Sequence, residues 1–241
     1  TQVEPLLAMS GCVYPYRAVA ASASPGLTRA ALRIPEDAFV IGAFVTPLKL
    51  SRRCLTLWKE VAERVPRAIF AFSPLREDYR DALLRLTVAA DIPPDRVVFV
   101  PPGADEAANQ ARYRLVDAVL DPMPFGNVNG TIEPLAMGVP VVTLVGKRHG
   151  ERTGYSILSN LGVTTTVAQT GREYVDLAVR LATDDAFMRE VRDAIGAKLP
   201  GSLLADADAH ARNLEAAYIV ALAKSAPDAL ASAGIAAPAL P

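Results

Sequence analysis

The sequence predicts an α/β fold: a Rossmann-like, doubly wound parallel sheet with helices on both sides. Three observations predict it. From residue 39 onward, short apolar runs alternate with stretches of helical periodicity. The segment Asp117 to Gly146, DAVLDPMPFGNVNGTIEPLAMGVPVVTLVG, reads as buried strand, Gly/Asn loop, short helix and second buried strand. The chain of 241 residues is 51% apolar, enough to bury a substantial core. Strict β-α alternation implies parallel strands sandwiched between helices.

The elements follow in order. Phe39 to Val45 is a continuous apolar run, as expected for a strand covered on both faces. Ser51 caps a helix whose apolar positions, Cys54, Leu55, Trp58, Val61, Ala62 and Val65, share one face. Ala68 to Phe72 is a strand, Glu77 to Ala90 a helix, and Val97 to Val100 a strand after the Pro93-Pro94 break. Asp105 to Arg114 is a helix, Ala118 to Asp121 a strand, and Thr131 to Met137 the short helix. Val139 to Val145 is a strand, Arg152 to Leu161 a helix, and Thr164 to Ala168 the last strand. A helix follows with Tyr174, Leu177, Ala178 and Leu181 on one face, and another runs from about Ala209 to Lys224.

Residues 1–35 lack periodicity, and Ala18 to Pro25 reads as a connector. With no initiator methionine, the chain is expected to be a piece of a longer protein. The domain reading is a connector over 1–35 leading from a missing N-terminal domain, a nucleotide-binding domain over 36–225, and a loose Ala/Pro-rich tail over 226–241. A formal charge of -1 gives no electrostatic reason to expect nucleic acid or an anionic membrane as partner. No apolar run reaches the length of a membrane span, and the N-terminus does not read as a signal peptide. Cys12 and Cys54 lack metal or redox spacing, so buried reduced thiols and a cytoplasmic location are expected.

In open α/β sheets, ligands sit beyond the carboxyl ends of the strands. The loops Thr46 to Ser51, Pro122 to Gly130 and Gly146 to Glu151 leave such ends and should meet at one edge. Lys49 can neutralise a phosphate as a mobile point charge. Unpaired N–H groups at the helix start near Thr131 suit a phosphate or diphosphate. Gly126 and Gly130 are read as positive-φ turn residues, and Pro134 as a first-turn proline. Glu133 is read in the same first turn, favoured there by the helix dipole or accepting hydrogen bonds from ribose hydroxyls. His149, in the basic Lys147-Arg148-His149 loop, is a substrate-contact candidate. Arg152 is suited either to clamping a phosphate or to pairing with Glu151. A GxGxxG motif, a Walker lysine motif, a Ser/His/Asp set and a metal-ligand cluster are all lacking. Nucleotide binding without them favours a nucleotide-sugar transferase over a dehydrogenase or an NTPase. No metal and no cofactor is expected.

Four segments in series carry a family resemblance: IPEDAFVIGAFVTPLKLSRRCLTLWKEVAERVP, DRVVFVPP, ARYRLVDAVLDPMPFGNVNGTIEPLAMGVPVVTLVG and REYVDLAVRLATD. From about Arg33 to Ala223 the chain resembles the O-GlcNAc transferase family, more closely its bacterial SPINDLY-type members and the related bacterial protein N-glucosyltransferases. The resemblance implies the C-terminal, donor-binding half of a GT-B fold, with a UDP-sugar as donor substrate and a protein or peptide as acceptor. It also implies an N-terminal GT-B half that supplies the acceptor contacts. By position, Lys49 matches the lysine on the donor diphosphate, which makes it the catalytic candidate. Asn127, Asn129, Gly130 and Thr131 match the loop and helix start around the phosphates. Glu133 matches the ribose-binding acid, usually Asp, while Ala104 and Arg112 match positions near the uracil. Asn109 stands where many relatives carry a histidine, and FGNVNG looks more like the N-glucosyltransferase loop than the SPINDLY one. Alternatives are a GT-B transferase acting on a small molecule or glycan, and a non-catalytic nucleotide-sugar-binding module.

Overall fold

Six parallel strands form one sheet in the order β3-β2-β1-β4-β5-β6 in a computed structural model that describes residues 9, 11, 12, 14–16, 27–73 and 76–235. The strands are β1 Phe39–Gly42, β2 Ala68–Phe72, β3 Val97–Phe99, β4 Ala118–Leu120, β5 Val141–Leu144 and β6 Val167–Ala168. Chain order reverses between β1 and β4, which pair with Ile41 opposite Ala118. That reversal is the topological switch point of a doubly wound sheet, where the loops leaving adjacent strands diverge and open a crevice. Every residue of β1 and β2 is buried, as a parallel sheet covered on both faces requires.

The helices are α1 Arg52–Arg64, α2 Glu77–Ala89, α3 Glu106–Ala111, α4 Asn129–Ala136, α5 Thr153–Leu161, α6 Gly171–Thr183, α7 Asp185–Lys198, α8 Ala207–Ser225 and α9 Pro227–Ser232. Right-handed crossovers put α1 and α2 on one face and α4 and α5 on the other. α1 forms as its sequence requires. The Ser51 hydroxyl accepts from the Cys54 N–H (3.1 Å), and Cys54, Leu55, Trp58 and Val61 are buried. Trp58 stacks on Phe70 of β2 (centroids 5.6 Å) and donates its indole N–H to the Tyr174 hydroxyl of α6 (3.1 Å). Both cysteines are free and buried.

Several boundaries differ from expectation. β1 stops at Gly42, β5 begins at Val141, and β6 is only two residues long. The helix expected over Asp105 to Arg114 breaks after Ala111 into a 3-10 turn, Arg112–Leu115. The short helix starts at Asn129 rather than Thr131, so Glu133 and Pro134 lie beyond its first turn. α7 was not expected from the sequence; its buried stripe is only Phe187, Val191 and Ile195, behind an Asp184 cap. Part of the expected connector packs on the domain instead: Cys12 is buried, and Tyr16 N–H donates to Leu204 O (2.7 Å). Arg29 pairs with Asp117 (2.9 Å). Ala18 to Pro25 lies outside the described residues. The expected loose tail contains α9, and residues 236–241 lie outside the described residues.

Candidate functional site

At the switch point the loops after β1, β4 and β5 converge on a cavity of about 770 Å³. Its walls include Lys49 from the first loop, Phe125 to Gly130 from the second, and His149 and Gly150 from the third. Arg112 and Glu133 also line it.

Lys49 ends a 3-10 turn, Pro47–Lys49, two residues before the α1 cap Ser51. Its ammonium crosses the switch point and donates to Asn127 Oδ1 (2.5 Å) and Gly126 O (3.1 Å), above the Phe125 ring (4.9 Å). Partial burial lowers its pKa, and the nearby Asp121 charge opposes that shift. One loop is thus tied to the other by a cation that still faces the cavity.

Helix α4 opens beside it. The N–H groups of Val128, Asn129 and Gly130 make no hydrogen bond among the described residues. They supply the partial positive charge of a helix start. Thr131 does not. Its side chain is buried and donates to Asn127 O (2.7 Å), and its N–H bonds Val128 O (3.0 Å). The unpaired N–H groups therefore lie earlier than expected, at Asn129 and Gly130 rather than Thr131. Neither Gly126 nor Gly130 has positive φ. Gly130 is needed for space, since a Cβ there would lie 2.8 Å from Asn127 Nδ2.

At the other side of the cavity, Arg112 donates to Asn109 O (2.9 Å) and to the Ser73 hydroxyl, and packs over the Phe44 ring (5.1 Å). Glu133 faces Tyr113 and Arg112; burial raises its pKa while both neighbours oppose the shift. Ala104 and Asn109 are not among the lining residues. Asn109 turns back to accept from Gly103 N–H (2.8 Å), because the Pro101-Pro102-Gly103 bend supplies the donor it needs. Arg152 takes neither expected role: it donates to Gly146 O (3.1 Å) and packs on Tyr155 (4.8 Å). Glu151 instead accepts from the N–H groups of Lys147 and Arg148 (2.8 and 3.1 Å) and fixes the basic loop.

Two groups went unread in the sequence. Phe125, an exposed aromatic in the loop, forms part of the cavity wall under Lys49. Asp121, at the end of β4, is a buried carboxyl. It accepts from Asn127 N–H and from the Thr143 hydroxyl (both 2.8 Å). A carboxylate closing an apolar strand was its signal, since an unpaired charge is rarely buried. Among the described residues no group of three or more His, Cys, Asp or Glu side chains is placed to hold a metal ion, and no helix is long and apolar enough to cross a membrane.

The arrangement sets a lysine ammonium and the open N–H groups of a helix start at one end of the cavity, on a fold shared with solved glycosyltransferases. An O-GlcNAc transferase mutant from Thermobaculum terrenum superposes with a TM-score of 0.73 at 24% identity, covering 87% of this chain and 39% of that one. The C-terminal domain of a group 1 glycosyl transferase from Francisella tularensis matches over 96% of its length, with a TM-score of 0.52 and 15% identity. In sequence, SPINDLY of Petunia hybrida is 32% identical over 180 residues, 73% of this chain and 19% of that protein. It is named a probable UDP-N-acetylglucosamine–peptide N-acetylglucosaminyltransferase. A Caenorhabditis elegans UDP-N-acetylglucosamine–peptide N-acetylglucosaminyltransferase is 30% identical over 189 residues, 78% of this chain and 16% of that protein. The chain thus spans about a fifth of such relatives' length. Residues 20–214 match the model of glycosyl transferase family 41. With the GT-B-type sheet and the ordered motifs in agreement, the chain belongs to glycosyl transferase family 41.

Proposed function

We propose that this chain is the donor-binding half of a UDP-sugar-dependent glycosyltransferase with protein or peptide acceptors. The observation that carries the reading is the meeting of Lys49 with the free N–H groups of Asn129 and Gly130 in one cavity at the switch point. A diphosphate suits that end. Glu133 offers acceptors for ribose hydroxyls, and Phe44, Arg112 and Tyr113 offer flat surfaces for a base. The relatives' names, which specify UDP-N-acetylglucosamine and peptide, support the donor and acceptor classes.

In this reading a hydroxyl or amide nitrogen of the acceptor attacks the anomeric carbon. The bond from that carbon to the diphosphate oxygen breaks, and its electron pair leaves on UDP. The acceptor's proton passes to a base outside this chain, on the N-terminal half. Lys49 acts on the leaving group, placed where negative charge develops, with the α4 N–H groups beside it. His149, on the exposed third loop, contacts the donor from the open side. The chemistry uses no metal or cofactor, and the two free thiols suit the cytoplasm.

Calorimetric titration with UDP, using ADP and GDP as controls, tests the proposal. Selective UDP binding supports it, while preference for ADP or GDP overturns the donor class. Lys49→Ala is expected to weaken UDP binding at least tenfold, about 1.4 kcal/mol. Unchanged affinity would remove the diphosphate assignment.

A further inference from the structure

We propose that Asp121 is a positioning residue for the donor site, holding the β4–α4 loop in the shape that presents Lys49 and the α4 N–H groups to a diphosphate. This deepens the nucleotide reading above and rests on it.

The geometry is specific. One carboxyl oxygen accepts from Asn127 N–H and the other from the Thr143 hydroxyl of β5, so Asp121 ties the loop to the neighbouring strand. The same Asn127 presents Oδ1 to Lys49. The path Asp121–Asn127–Lys49 therefore runs from the sheet to the cavity in two hydrogen bonds. The surroundings close tightly on this carboxyl, with glycines where it is approached. A Cβ on Gly154 would lie 2.4 Å from its Oδ2, and one on Gly126 would lie 3.1 Å from it. Its own backbone is fixed as well, because the Tyr174 hydroxyl donates to Asp121 O (2.9 Å).

A buried carboxylate without structural need would be replaced at little loss by an apolar residue. Here it satisfies a loop N–H that otherwise has no acceptor, and its charge faces the ammonium of Lys49. The other titratable groups facing it are Cys54 of α1 and Tyr174 of α6. Both stay neutral near pH 7: burial pushes the Cys54 thiol up to about 12 and the Tyr174 hydroxyl well above its ordinary value. Lys49 is thus the charged partner among them.

Two readouts on the full chain test the proposal. The first is amide NMR without nucleotide. The Asn127 amide proton is expected to titrate with the Asp121 carboxyl, near its raised value of about 6. Asp121→Asn should abolish that titration and Thr143→Val should keep it. An Asn127 amide indifferent to pH overturns the proposal, and the wild-type titration needs no variant to fold. The second is UDP titration. Asp121→Asn is expected to weaken binding about tenfold in the wild-type background and less than about twofold in Lys49→Ala, because contacting residues are non-additive. Equal losses in both backgrounds would mean a general structural role and overturn the coupling. If the wild type does not bind UDP, the nucleotide reading fails, and the NMR readout alone decides whether Asp121 sets the loop.

Discussion

Two buried clusters meet at the C-terminal end of β4, and they are built in opposite ways. On the α1 side, Trp58 stacks on Phe70 and meets Phe72 at a tilt with almost no polar atoms, and one indole N–H finds one hydroxyl. On the loop side, Asp121, Asn127, Thr131 and Thr143 are buried around a web of hydrogen bonds. Tyr174 joins them, accepting from Trp58 and donating to Asp121 O. The first cluster earns stability from area removed from water. The second spends it, since burying a carboxyl opposes folding unless each lone pair is answered. The contrast teaches where a domain stores rigidity and where it places function. It also makes the two clusters separable by experiment.

The largest effect belongs to the apolar cluster. Trp58→Ala removes a fully buried indole and leaves Tyr174 without its donor. Urea unfolding is expected to show a loss of about 3–5 kcal/mol. A loss below 1 kcal/mol would mean the cluster does not anchor the sheet.

Next comes pH, acting on the buried carboxyl of the polar cluster. Burial raises the Asp121 carboxyl from 3.8 to about 6. Between those values the folded state holds a proton that the unfolded chain has released. The resulting stabilisation is fully present below the unfolded value and is lost as pH rises through about 6. The gap corresponds to about 3 kcal/mol over the whole window and about half of that by pH 5. Unfolding of the wild type compared with Asp121→Asn at pH 7 and pH 5 should show the larger gain in the wild type, with Glu133, whose pKa burial also raises, contributing to both. UDP affinity should move the other way, weakening as the carboxyl protonates.

Gly154→Ala is expected to cost about 1–3 kcal/mol, because the new methyl would meet Asp121 Oδ2 and Thr143 Oγ1 at 2.4 and 2.5 Å. Gly196→Ala is its control, since nothing lies within 4 Å of a Cβ there. Equal melting behaviour in the two variants would show that the polar cluster yields freely.

The apolar cluster was legible in the sequence, and the polar one only in outline. Ser51 and the spacing of Cys54, Leu55, Trp58 and Val61 announce α1 directly, because burial periodicity is a local signal. The three loops could be placed at one edge from strand order alone, and Lys49, Asn127, Asn129 and His149 do line one cavity. What could not be read depends on contacts between distant segments. Asp121 resembled the end of a strand because Asn127 and Thr143 reveal themselves as its partners only in three dimensions. The start of α4 was set two residues late because Gly130 reads as a loop residue, while in the fold it lies in the first turn of the helix, with Asn127 packed where a Cβ would stand. α7 escaped because the stripe it buries is only three residues in fourteen, Phe187, Val191 and Ile195. Tyr14 lines the cavity from a stretch that showed no periodicity at all.

The smallest expected effect on stability is the sharpest test of the contrast. Lys49 is the polar cluster's most functional member in the proposed reading, yet it is only partly buried and bonds one carbonyl and one amide oxygen. Both acceptors border the cavity, so water can replace the ammonium in Lys49→Ala. The one group that loses by its removal is Asp121, whose charge it faces. Thermal unfolding of Lys49→Ala should therefore stay within about 0.5 kcal/mol of wild type at neutral pH. The Asp121 carboxyl should rise further, visible as a later midpoint in the Asn127 amide titration. A large destabilisation with no such rise would place Lys49 among the structural residues and erase the separation between the two clusters.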